Sequence, residues 1–320
     1  MSRGPIDPRS QSGVALIMVL LIIAILSILV LEFHFNARVN FAIANNIADD
    51  LRANYLALSG MNVAGKFLVE DYNDNKYDHL NEDWAMPLPP IPIGDGMVTV
   101  QIVDENSKLN LNRLVRTSGS INKRTQDQLA ALFVSLDIDP ALVNPIIDWI
   151  DPNDQDVVSG VYEDSAYGYS QMTPSVQPRN GPMSSLSELR QVAGFNDEIF
   201  SKVEPYVTIF GGSRININTA PVEVLAALIE SIEPGTSGDW ADVIVESRAE
   251  KPFKKKNIRR DLKRLGLPSN LARQLNKACT VKTRTFNIKV IATTNETTKV
   301  LNAVLVRQKD RVDLVYLRTI

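Results

Sequence analysis

Cysteine and histidine are almost missing from this 320-residue chain. The single cysteine, Cys279 in LNKACTV, excludes an internal disulfide and a thiolate metal cage, and beside Ala278 it reads as a small buried hydrophobe. Two histidines, His34 and His79, leave little for a catalytic dyad, and no serine elbow, P-loop or metalloprotease motif accompanies the acidic residues. The expectation is a protein that is not an enzyme. With 22% charged residues, 44% hydrophobic residues and a net charge of −3, composition describes one or two ordinary globular domains and no disordered tail.

Charge is also absent from Val14 to Leu31, in SQSGVALIMVLLIIAILSILVLEF. At about 1.5 Å per residue this run reaches across a hydrocarbon core of roughly 30 Å. Glu32, Phe33 and His34 follow it without a small-residue cleavage site, so a cleaved secretory signal is not expected. Ahead of the run stands MSRGPIDPRSQSG, with Arg3 and Arg9 against Asp7, a bias that keeps these residues cytoplasmic and sends the rest outward.

Beyond the anchor no helix breaker intervenes for several turns. Phe41, Ala44, Ala48, Leu51, Tyr55, Leu58 and Met61 recur at spacings of three and four, which predicts a helix from Val14 to about Asp71, a rod of roughly 85 Å, whose stripe a sheet would cover. Its outer half would present polar and small residues to partner helices. The stretch DWAMPLPPIPIGDG, with Pro87, Pro89, Pro90 and Pro92, ends the helix and reads as a linker. Val98, Val100 and Ile102 then alternate with polar positions, and KLNLNRLV follows after a short turn, which predicts a hairpin. FNIKVIATT, KVLNAVLV and RVDLVYLRTI predict three more strands, to be joined with the first into one antiparallel sheet on the long helix.

The residues between these strands read as helices. Asn122 opens NKRTQDQLAALFVSL, Ser185 and Glu188 form an S-x-x-E capping box, and NTAPVEVLAALIE starts behind Asn218 or Thr219 with Pro221 in its first turn. The fold class expected is α+β, a long N-terminal transmembrane helix packed on an antiparallel sheet with a large all-α insertion.

A basic leader ending in glycine directly before an apolar helix resembles the signal of type IV pilins and type II secretion pseudopilins. The resemblance implies a peptidase that cuts between Gly13 and Val14 and leaves the anchor on a mature chain, with methylation of that chain. IIDWIDPNDQ (146–155), RNGPMSSLSELRQVAGF (179–195), VEPYVTIFGG (203–212) and ININTAPVEVLAAL (215–228) together resemble the minor pseudopilin K family of type II secretion systems. On that resemblance the chain divides into a prepilin leader (1–13), helix and linker (14–96, membrane-spanning at 14–31), the first part of a pilin-like sheet (97–117), an inserted α domain (118–279) and C-terminal strands (280–320). It implies a single-pass protein of the inner membrane with its bulk in the periplasm, capping the tip of a pseudopilus and helping to start its assembly. The partners implied are minor pseudopilins of the I and J types, the major pseudopilin and the prepilin peptidase. Most pilin-type helices carry Glu at the fifth mature position; Met18 stands there in this chain. A buried carboxylate that neutralises a neighbour's amine is thus lacking, which fits a subunit with none above it.

Basic residues are absent from Thr125 to Pro178, whereas Asp148, Asp151, Asp154, Asp156, Glu163 and Asp164 fall close together. Uncompensated carboxylates repel, and oxygen-only donors on an irregular loop suit Ca²⁺. The spacing is not an EF-hand, since from Asp151 the sixth position is Asp156 where glycine is needed. The resemblance also implies calcium here, with Asp151, Asp154, Asp156, Glu163 and Asp164 as candidate ligands. A solvated acidic loop is the plainer alternative. RAEKPFKKKNIRRDLKRL (248–265) is opposite in sign, and beside ININTAPVEVLAAL it raises a rival class, a membrane-anchored helix-hairpin-helix DNA receptor. The connections IEPGTSGDW and KRLGLPSN lack the tight hairpin such a receptor needs, so a solvated face or a surface for partner subunits or anionic lipid is expected. A minor pilin of a type IV pilus shares anchor and sheet but not the large insertion.

The processing site yields a direct test. Replacing Gly13 by a bulky residue should leave the chain uncut, and mass spectrometry of the membrane protein should place the unmodified mature N-terminus at Val14; any other N-terminus refutes the signal.

Overall fold

The computed structural model describes residues 8–74, 76–86, 89–152, 178–295 and 297–320. Helix α1 runs from Pro8 to Asp74 without interruption, 67 residues or about 100 Å. Its first half touches nothing else. Every large apolar side chain from Val14 to Leu31 stands open, and Ile25, the least exposed, is still 49% exposed. A helix of that length and composition is long and apolar enough to cross a membrane and fits a single-pass anchor.

The second half of α1 lies on a five-stranded antiparallel sheet of order β1-β2-β7-β8-β9, formed by Ile91–Ile93, Gly96–Asp104, Thr285–Thr294, Thr297–Arg307 and Val312–Thr319. The alternating residues Val98, Val100 and Ile102 face the helix together with Phe286, Ile288, Val290, Leu301, Ala303 and Leu305. The covered stripe of α1 meets the one its apolar spacing predicts only at its outer end, where Met61 is buried and Leu58 packs against the helix–sheet core. Ala53, Ala57, Gly60, Met61, Ala64 and Leu68 are buried, whereas Phe41, Leu51 and Tyr55 point away from the sheet. Small residues win that face because they let the backbone come close. A Cβ on Gly60 would lie 2.8 Å from Val290 and 2.9 Å from Val98. The buried small residues are therefore spent on the sheet, while the exposed face of α1 mixes large apolar side chains such as Leu51 and Tyr55 with small and polar ones such as Ala42, Ala44, Ser59 and Asn62.

Two further expectations change. The proline-rich linker contributes β1, an edge strand where missing amide donors are tolerated. The hairpin after β2 does not form. The chain leaves the sheet at Asp104 through a 3-10 turn, Glu105–Ser107, and β2 pairs instead with β7, its Val100 opposite Val290. Leu109–Asn110 (β3) pairs in parallel with Val207–Thr208 (β4), and Ile215–Asn216 (β5) with Cys279–Thr280 (β6).

Between those short ladders lie α2 (Lys123–Ser135), α3 (Val143–Ile150), α4 (Asp197–Val203), α5 (Val222–Glu230), α6 (Ser237–Glu250), α7 (Ile258–Arg264) and α8 (Ser269–Ala278). They bury a second core of Leu129, Phe133, Ile147, Val203, Leu228 and Leu275, among others, separate from the helix–sheet core. Asn122 precedes α2, although its side chain donates to Arg113 O and Thr125 Oγ1 and does not cap the helix. Ser185 and Glu188 do close a capping box, on a 3-10 segment, Leu186–Gln191. Cys279 is buried on β6, and burial pushes its thiol up to about 12, which leaves it inert.

Candidate functional site

The two cores meet at a buried polar junction. Arg307, the last residue of β8, is completely buried, and its guanidinium donates to Asp71 Oδ2 at 2.5 Å and Asp78 Oδ1 at 2.6 Å. It also reaches Thr283 O at 2.9 Å and lies 4.7 Å above the ring of Phe286. Asp78 accepts from Thr283 N through its other oxygen and donates its own amide to Val281 O at 2.7 Å. Nearby, Asp104 at the exit of β2 accepts from Asn216 Nδ2 at 2.8 Å, Thr219 Oγ1 at 2.6 Å and Asn106 N at 2.6 Å. Asn106 in turn accepts from Thr283 Oγ1 at 2.6 Å and donates to Arg214 O at 3.0 Å. The end of α1, the loop after it, the exit into the α domain and the return to the sheet are thus joined by side chains that burial obliges to pair. Removing one partner of such a buried ion pair typically costs about 3–5 kcal/mol, because the charge left behind is unpaired.

Beside Arg307, oxygens of Asp71, Asp78 and Glu82 lie within 4.8 Å of one another. Arg307 supplies the positive charge to two of them. Glu82 Oε2 accepts from Trp84 Nε1 at 2.6 Å and His79 N at 3.0 Å, and its Oε1 lies 3.7 Å from His79 Nε2. Burial pushes Glu82 up to about 7, and it pushes Asp78 up to about 6 against the opposing pull of Arg307. Burial moves His79 the other way, downward. None of these residues stands out in the sequence. The one signal is Arg307 directly after the apolar run AVLV (303–306), where a buried charge has no place unless it is paired.

The residues singled out from sequence fall elsewhere. Gly13 and Val14 sit on the exposed start of α1, with open space around Gly13, and Met18 belongs to the same uncovered run. Asp148 is completely buried on α3, and Asp151, at its C-terminal end, is nearly so; Asp154, Asp156, Glu163 and Asp164 lie outside the described residues. The motif stretches around them are structural partners, since Trp149 Nε1 donates to Glu188 Oε2 at 3.2 Å while Glu188 caps Ser185. The basic run 248–265 is the end of α6, a loop and α7.

A membrane-anchored helix docked on an antiparallel sheet, with an α domain leaving the sheet and returning to it, defines a pilin-type subunit with an enlarged head. Two family models, both described as type II secretion system (T2SS), protein K, match residues 107–212 and 215–275. The chain is 29% identical over 325 residues to the type II secretion system protein K of Aeromonas hydrophila, covering 97% of each. It is also 29% identical over 314 residues to that of Pseudomonas aeruginosa, covering 94% of this chain and 90% of the relative. In fold it matches a chain of the crystallised GspK-GspI-GspJ complex of enterotoxigenic Escherichia coli, with a TM-score of 0.68 and 20% identity over 86% of this chain and 98% of that one. The chain belongs to the type II secretion system protein K family and is a structural component of that secretion apparatus.

The junction carries a signed pH dependence. Because the folded state holds Glu82 protonated up to about 7 and the unfolded chain releases that proton near 4.5, folding binds a proton between those values. Stability from this group is therefore full at acid pH and is lost as pH rises to about 7. Denaturant midpoints of the detergent-solubilised chain should fall between pH 5 and pH 7.5, and Glu82→Gln should flatten the decline; His79 has the opposite sign and remains in both proteins. An unchanged slope in Glu82→Gln refutes the assignment.

Proposed function

We propose that this chain is the minor pseudopilin that caps the tip of a periplasmic pseudopilus and helps to initiate its assembly. Its anchor lies in the inner membrane with its N-terminus cytoplasmic, its bulk is periplasmic, and it acts without catalysing a reaction. The observation that carries the reading is the α domain itself. It leaves the sheet after β2, returns at β7 and brings a core of its own, which is far more than a pilin cross-section holds if another subunit is to stack above. Such a head is tolerated only at the end of a filament. Met18 supports this reading, since a first subunit has no earlier amine to neutralise.

The membrane end of the assembly would be built from α1. Phe41, Ile43, Ile47, Leu51 and Tyr55 are exposed beyond the anchor, and apolar side chains in such a row call for neighbouring helices. Their partners on this reading are the anchors and stems of the I- and J-type minor pseudopilins and of the major pseudopilin. Prepilin peptidase would act earlier, at the bond between Gly13 and Val14.

The acidic segment after α3 would hold Ca²⁺. The fit rests on donor chemistry. Asp148 and Asp151 are buried, and the sequence around them supplies four more carboxylates and no Lys, Arg or His, a set of hard oxygen donors suited to that ion. Bound calcium would screen the carboxylates and hold the segment to the α domain.

Labelling the head and imaging sheared or overproduced filaments tests the capping role. Label confined to one end is expected, and label repeated along the shaft refutes it. For the ion, calcium at a hundredfold excess over Kd should add about 2.7 kcal/mol to folding stability. The melting temperature of the full chain should accordingly rise over that in chelator, with a smaller rise in Asp151→Ala. Superimposable melting curves would leave only a solvated acidic segment.

A further inference from the structure

The head carries one surface that capping leaves without a role. All eight Lys and Arg residues between Lys251 and Arg264 are exposed, and Asp261, 3.3 Å from Arg260 and 3.8 Å from Arg264, is the only acid among them. A surface depression of about 520 Å³ is lined by Lys256, Arg259, Arg260, Lys263 and Arg264. These cations are held together by packing beneath them. Phe253, Ile258 and Leu262 are buried in the α core and fix the loop and α7 that carry the charge. A chain of net charge −3 thus gathers five cations around one depression, with Asp261 the acid beside them and Lys251, Lys254 and Lys255 on the preceding loop, an arrangement that repels itself until an anionic surface meets it.

Location restricts what that surface can be. Asn81 Nδ2 donates to Ala249 O at 3.4 Å, and Lys254 Nζ lies 5.3 Å above the ring of Tyr77. The basic face therefore adjoins the end of α1 that is remote from the membrane anchor, and from Leu31 to Asp74 the helix rises about 65 Å. The membrane holding the anchor is out of reach along that rod.

Nucleic acid is disfavoured by the turns on either side. A helix-hairpin-helix reader offers free turn amides to phosphates. In this protein Gly235 N is already bonded to both carboxylate oxygens of Glu230, at 3.0 and 3.1 Å. Gly266 N donates to Lys263 O at 3.1 Å, and the ring of Trp240 closes over that glycine. A tight protein interface is disfavoured as well, because such interfaces centre on buried apolar anchors. Among the described residues no large apolar side chain between Val134 and Leu314 is exposed. Clustered Lys and Arg without apolar neighbours match an anionic bilayer, to which each cation near the surface adds about 1 kcal/mol, reversibly and without insertion.

We propose that the basic face of α7 and its preceding loop adsorbs to an anionic phospholipid bilayer in trans, a membrane other than the one that holds the anchor. The proposal rests on the family reading only for the direction in which the head faces. The lipid contact is measured without a filament, so its failure and that of the capping role are separable.

For the test, the full chain is reconstituted in phosphatidylcholine nanodiscs. It is then mixed with labelled vesicles of phosphatidylcholine alone or of phosphatidylcholine with phosphatidylglycerol. Binding to the anionic vesicles only, weakened by salt, is expected. A Lys256→Gln, Arg259→Gln, Lys263→Gln triple variant, altered only at exposed positions, should bind about 100-fold more weakly, roughly fivefold per cation. An Arg259→Lys, Arg260→Lys, Arg264→Lys variant, which keeps the charge, should bind as the wild type does. Absence of binding, equal binding to neutral vesicles, or a triple variant that binds like the wild type overturns the proposal. So does duplex DNA bound more tightly than anionic vesicles at the same salt.

Discussion

A guanidinium with no access to water has to be surrounded by its own counter-charges, and Arg307 meets that demand by drawing Asp71 and Asp78 to itself. Asp71 is near the end of α1, Asp78 is in the loop that follows, and Arg307 closes β8. Pairing these three fixes where the long helix stops against the sheet. Thr283, which gives its carbonyl to Arg307 and its amide to Asp78, holds the strand that returns from the α domain. One buried charge therefore sets the register between helix, sheet and head.

That constraint explains how a pilin-type fold carries so large an insertion. The strands flanking the insertion, β2 and β7, are direct neighbours, so the α domain leaves and returns within one strand spacing. Asp104 and Asn216 bind across that neck, and Thr219 adds a second donor to the same carboxylate. The head packs its own core, and the helix–sheet core keeps its alternation undisturbed. Each unit is stabilised locally by apolar burial, while the polar neck sets their relative orientation.

Surfaces are partitioned along the same axis. The apolar side chains of α1 stand open at one end of the protein, and its densest positive charge stands at the other. Ala53, Ala57, Gly60 and Ala64 are consumed by the sheet, since small residues allow the approach seen at Gly60. Beyond the anchor Phe41, Ile47, Leu51 and Tyr55 stay exposed, side chains that would bury more area per residue than a small-residue seam.

Much of this architecture is local and can be read from sequence. An uncharged run of membrane length, period-two alternation at Val98, Val100 and Ile102, and the capping pair Ser185 and Glu188 each depend on neighbours a few residues apart. They identify the anchor, the strands and the helical character of the insertion. The partner of each strand is a different kind of fact. Arg307 meets residues 236 and 229 positions away, and β2 bypasses KLNLNRLV to pair with a strand beyond the whole α domain. No short-range pattern encodes such contacts, because the burial that makes them favourable exists only once both cores have closed. For the same reason the apolar spacing of α1 located only the outer end of its covered face, at Leu58 and Met61, since it ranks side chains by hydrophobicity whereas close packing ranks them by size. Sequence alone determined which segments are apolar, helical or extended; tertiary structure decided which of them touch, and with that, where a charge could be buried.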